Sequence, residues 1–163
     1  MSTKCIYNTL LVNVKPKICS KLPLLDFSII WQNVHCNFVD SHINELCWRM
    51  SHNALPVNDH LYSFQMVPHN TPCYFCNIGC ETVAHLFFEC SFLQSLWKKV
   101  TEILCKYSNR NVILDRNCIL YNIFKESVHR PDNLMLLLLV NSMKYQIWKF
   151  RNTSMNGEKI IYL

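Results

Sequence analysis

Cys73-Tyr74-Phe75-Cys76, with His85 and then Cys90 further on, is the stretch that decides how this chain is read. As spacing it is C-x2-C-x8-H-x4-C, four soft or borderline donors within 18 residues. A tetrahedral Zn2+ site asks for such a set. The first pair fits one tight turn, so that both thiolates reach one ion. His85 and Cys90 lie five apart, a little over one helical turn, and can close the tetrahedron from the two ends of a short helix. Zn–S and Zn–N bonds of roughly 2.0–2.3 Å force the backbone to fold closely around the metal. Four protein ligands leave no open position, so the spacing predicts one structural Zn2+ rather than a catalytic one. The competing views are that these are ordinary buried cysteines in a chain with ten of them, or that Cys80 replaces His85 in a four-thiolate site with Cys73, Cys76 and Cys90.

Composition sets the frame. A chain of 163 residues can hold one domain with its own core. Half of it is apolar and 17% is charged, which excludes a disordered tail. Two glycines are too few for a sheet-rich fold with many tight hairpins. The expected fold is therefore mainly α, a small helical domain organised around a CCHC zinc knuckle with little or no β-sheet. The first 20 residues lack a continuous apolar segment of the signal-peptide kind. The cysteines then read as reduced, in an intracellular protein of the nucleus or cytoplasm that is not secreted. The longest apolar run, Leu134 to Val140, has seven residues. A spanning helix needs about 20, so a helix buried within the domain is expected and a membrane is not a partner.

The net charge of +5 is unevenly spread. Residues 51–97 contain no Lys or Arg, only Asp59, Glu81 and Glu89 as charged groups. Residues 98–130 carry seven bases against three acids. A phosphate-gripping knuckle would hold bases inside its loop, and this one holds none. Any nucleic-acid grip then falls to the flanks, to Lys98, Lys99, Lys106, Arg110 and Arg116, with Lys144, Lys149 and Arg151. The plainer reading is that these are solvated helix faces.

Capping and periodicity place the helices. Lys4 to Val14 reads as a short helix, and Pro16 and Pro23 bound a linker. Asp26 caps Phe27 to Cys36, and Asp40 or Ser41 caps a helix reaching about His52. Asn58 or Asp59 starts a short helix through Met66. Thr82 caps Val83 to Glu89, with His85 turned to the metal and Leu86 and one phenylalanine in the core. Ser91 caps Phe92 to about Lys106, and Trp97 covers the metal lobe. Asp115 caps Arg116 to Glu126, and Pro131 opens a final helix from Asp132 to about Thr153. The domain plan is 1–25 as N-terminal helix and linker, 26–106 as the zinc-binding domain with its knuckle at 73–90, and 107–163 as a helical extension.

Around the knuckle stand Leu55-Pro56, Asp59 and Leu61, then Glu81-Thr82, His85-Leu86-Phe87 and Cys90, then Leu96-Trp97. In this order they resemble the zinc-binding domain at the C-terminal end of non-LTR (LINE-type) retrotransposon reverse transcriptases. The resemblance covers about residues 30–100 and continues weakly into Ile147-Trp148-Lys149-Phe150-Arg151-Asn152. It implies a domain that sits beside the polymerase and helps hold element RNA or target DNA during target-primed reverse transcription.

A polymerase needs closely placed carboxylates to hold two metal ions. Asp26, Asp40, Asp59, Asp115 and Asp132 are scattered and no Asp-Asp pair occurs. Nor is there a phosphate-binding glycine loop or a nucleophile elbow. The expectation is a non-enzymatic piece of a reverse transcriptase without a small-molecule substrate. Its partners are then RNA or DNA, or the polymerase part of the same element. A second reading makes it a zinc-stabilised architectural or protein-interaction module that binds no nucleic acid.

Overall fold

The computed structural model describes residues 27–34, 37–69, 71–108, 111–124 and 131–155. The helix expected over Lys4 to Val14, the linker after it, Asp26 and Arg110 lie outside these residues. Among the described residues six α-helices run in the order α1 Phe27–Val34, α2 Ser41–Ser51, α3 Asn58–Ser63, α4 Ser91–Ser108, α5 Arg116–Tyr121 and α6 Pro131–Met155. A π turn, His85–Glu89, sits between α3 and α4. The described residues contain no strand, only an isolated antiparallel bridge between Pro72 and Cys80. The fold is mainly α, as composition predicts.

The helix boundaries have local causes. The Asp40 carboxylate accepts from His42 N and so satisfies one of the free amides that begin α2. The Asp115 carboxylate accepts from Cys118 N in the same way. Two helices are shorter than their periodicity suggests. α3 ends at Ser63 because Phe64 N and Gln65 N bond back three residues, to Leu61 O and Tyr62 O, and Gln65 then takes φ 58°. α5 ends at Tyr121 because Asn122 adopts φ 57° and Ile123 N reaches back to Asn117 O, a left-handed C-terminal cap that asparagine tolerates.

One apolar core joins the metal lobe to the C-terminal helix. Leu46, Met50, Leu55 and Val57 from the first part of the chain meet Leu86, Phe87, Leu93 and Trp97 from the lobe. Ile119, Leu120, Val140 and Ile147 complete it. α2 packs on α1, α5 and α6, while the π turn packs on α4 and α5. Among the described residues no helix is long and apolar enough to cross a membrane.

Candidate metal centre

The knuckle starts in a tight hairpin. Pro72 bridges Cys80, Cys73 N donates to Gly79 O at 3.1 Å, and Asn77 N donates to Cys73 O at 2.8 Å. The chain turns this sharply by placing Asn77 at φ 55° and Gly79 at φ 66°, a region open to glycine and tolerated by asparagine. The turn aims the Phe75 and Cys76 amides at the Cys73 sulfur.

The other two donors come from the π turn. Thr82 Oγ1 accepts from His85 N at 3.0 Å, which makes Thr82 the N-cap the sequence suggested. Cys90 N donates to His85 O at 2.8 Å, an i to i+5 closure. Its consequence is geometric. At about 100° per residue, five α-helical steps leave two side chains roughly 140° out of line. The wider turn brings His85 and Cys90 back to one side, while Leu86 and Phe87 go into the core. Cys90 also leads into α4, with its carbonyl accepting from Gln94 N and its sulfur facing the Leu93 and Phe92 amides. The positive end of an 18-residue helix thus points at a sulfur that must carry negative charge to bind metal.

The outcome is a cluster. The Cys73, Cys76 and Cys90 sulfurs and a His85 ring nitrogen all lie within 4.8 Å of one another. The Cys73 and Cys90 sulfurs are 3.9 Å apart, and Cys76 Sγ is 3.3 Å from His85 Nε2. A zinc tetrahedron with the usual bond lengths has edges of roughly 3.5–3.8 Å, so the four donors fit that ion. Burial pushes the Cys73 thiol up to about 12, and burial raises the Cys90 thiol as well. Removing two thiols from water in this way favours their neutral form unless a cation compensates. Cys80 stands apart: it is exposed, and its sulfur is 3.9 Å from Asp59 Oδ1. The structure therefore brings together the Cys73, Cys76, His85 and Cys90 set and not a four-thiolate one. The described cysteines are all free thiols.

A family model described as zinc-binding in reverse transcriptase matches residues 2–97. The chain belongs to this family. No curated protein and no solved structure matches it. The matched region ends at Trp97, whose indole Nε1 donates to Phe87 O at 2.7 Å and closes the core over the π turn.

Beyond the region matched to the reverse-transcriptase zinc-binding family, the C-terminal helix is tied to the hairpin. Arg151, on α6, inserts its guanidinium beside the hairpin and meets Glu81 Oε1 through Nε at 3.1 Å and Nη2 at 2.6 Å. Glu81 also accepts from Asn58 N and Tyr74 N. Asn58 in turn accepts from Arg151 Nη2 and donates to Pro72 O. The start of α3, the hairpin, the segment before the π turn and α6 are thus tied at one buried charged point.

This corrects part of the expected nucleic-acid surface. Arg151 is 4% exposed and Lys144 is fully buried, donating to Asn122 Oδ1. Neither faces a phosphate. In the structure Leu137, Val140, Lys144, Ile147 and Arg151 are buried at three- and four-residue spacing, so both bases lie in the inward stripe of α6. Glu81 and Asn58 were missed as organising residues because their partner is 70 or more positions away. Lys98, Lys99 and Lys106 are exposed on α4, and Lys149 is exposed on α6. Arg116 is exposed and paired with Glu89 at 3.5 Å.

Proposed function

We propose that this domain holds one structural Zn2+ through Cys73, Cys76, His85 and Cys90, and that it is a non-catalytic accessory part of a retrotransposon reverse transcriptase that contacts RNA or DNA during target-primed reverse transcription. The convergence of the four donors supports the metal. The observation that carries the nucleic-acid contact is the outward face of α4, where Lys98, Lys99 and Lys106 stand in water with Glu102 as the one acid of that helix. The metal supplies positive charge that lets three thiolates stay close together in a partly dry site. The chain's own residues do the rest. Backbone amides orient Cys73 and Cys90, the π turn positions His85, and α4, launched from Cys90, presents the lysines.

Three phosphates neutralised on a single strand give a log–log salt slope of about −2. The test is RNA binding by the zinc-loaded chain across a salt series, against a size-matched acidic polymer and a Lys98, Lys99, Lys106→Gln variant. Preference for RNA, with a slope that flattens in the variant, is the expected result. Equal, weak binding to both polymers overturns it.

The second reading, an architectural module that docks on the polymerase, draws on a different surface. Phe64 and Met66, just after α3, and Ile78 in the hairpin are exposed apolar side chains on a lobe without bases. A chain that fails the RNA test but binds the polymerase part of the element through these residues supports this alternative.

A further inference from the structure

Three aromatic rings lie parallel beside the metal centre. Phe75, between the two cysteines of the first pair, stacks on Phe150 of α6 with centroids 5.8 Å apart and planes 17° apart. Phe75 also stacks on Phe92 of α4, with centroids 5.7 Å apart and planes 5° apart. Tyr74 closes edge-on against both Phe75 and Phe150. Phe92 is itself 57% exposed, so part of this cluster faces water. Phe92, Lys99 and Lys106 then follow at seven-residue intervals. Seven α-helical residues turn by nearly two full revolutions and advance about 10 Å, so the three share one stripe of α4.

We infer that Phe92 is a stacking plate for an unpaired base of single-stranded nucleic acid, whose backbone runs along α4 and is held by Lys99 and Lys106. This deepens the nucleic-acid reading above and rests on it. The occupant follows from the pairing of chemistries. A flat open ring accepts any base face, and bases at helical spacing beyond it meet a polyanion. A duplex keeps its bases stacked inside and cannot use the ring. The ladder also ties the plate to the knuckle, because Phe75 is positioned by the same turn that aims Cys73 and Cys76.

The experiment measures binding of the full zinc-loaded chain to short mixed-sequence oligonucleotides, as single-stranded RNA, single-stranded DNA and the matched duplexes. Phe92→Ala and Phe92→Leu are compared with Phe92→Trp and with a Lys99→Gln, Lys106→Gln double variant, each checked for zinc content and helicity. Loss of the flat ring is expected to weaken single-strand binding roughly five- to a hundred-fold. Duplex binding and the salt slope should stay unchanged, and Phe92→Trp should bind as the parent does. The lysine variant should weaken both strand forms and flatten the slope. Phe92→Leu retaining full single-strand affinity while the lysine variant loses it overturns the stacking plate and leaves the proposed function standing. If no variant changes binding to any oligonucleotide, both fall.

Discussion

Arg151 Nη2 lies 2.6 Å from Glu81 Oε1, with side-chain exposures of 5% and 0%. The pair joins the last helix to the segment that leads into the metal centre. Removing one member of a buried pair leaves the other charge uncompensated, which costs about 3–5 kcal/mol. Glu81 additionally receives the Asn58 and Tyr74 amides. Glu81→Gln should therefore destabilise by about that amount and lower resistance to chelators. Arg151→Met should do the same, and the double variant should lose far less than the sum. Denaturant unfolding of the cycle checks this, and simple additivity is the contrary result.

Metal content tests whether Cys80, the alternative donor the spacing left open, belongs to the site. Cys76→Ser removes one of the clustered donors and should abolish stoichiometric zinc. Cys80→Ser alters an exposed thiol outside the cluster and should leave zinc intact. Elemental analysis of the purified variants reads both. Because the ligands bind deprotonated, chelator competition should also show affinity falling as pH falls.

Alkaline stability should carry a signature of Cys118. Burial raises this thiol from 9.0 to about 12 in the folded chain. Above 9 the unfolded chain ionises while the folded one does not, so the unfolded state gains and stability falls as pH rises towards 12. The slope is about 1.4 kcal/mol per pH unit in that window. Lys144 opposes it: burial lowers its value below 10.5, so the folded state holds fewer protons and stability rises with pH up to that point. Comparing Cys118→Val with the parent chain isolates the thiol. The difference should be flat below pH 9 and grow above it.

Trp97 fills the core and satisfies the Phe87 carbonyl inside the π turn. Trp97→Phe keeps an aromatic ring but leaves that buried acceptor bare, a loss of about 1–3 kcal/mol. Trp97→Ala adds a cavity and should cost about 3–5 kcal/mol. Thermal unfolding of both variants in excess zinc ranks them.

The donor set was legible in the sequence because its four residues lie within one short stretch, where spacing limits geometry directly. The caps at Asp40, Thr82 and Asp115 were legible for the same reason: each acts on an amide two or three positions away. Tertiary structure decided the rest. Whether His85 and Cys90 share a side depended on a π turn that the core imposes by taking Leu86 and Phe87. The fate of Lys144 and Arg151 depended on Asn122 and Glu81, 22 and 70 positions away, since charge in a sequence says nothing of the dielectric around it. Local spacing thus singled out the four clustered donors by itself, and the packing of α6 decided that Lys144 and Arg151 are withdrawn from water.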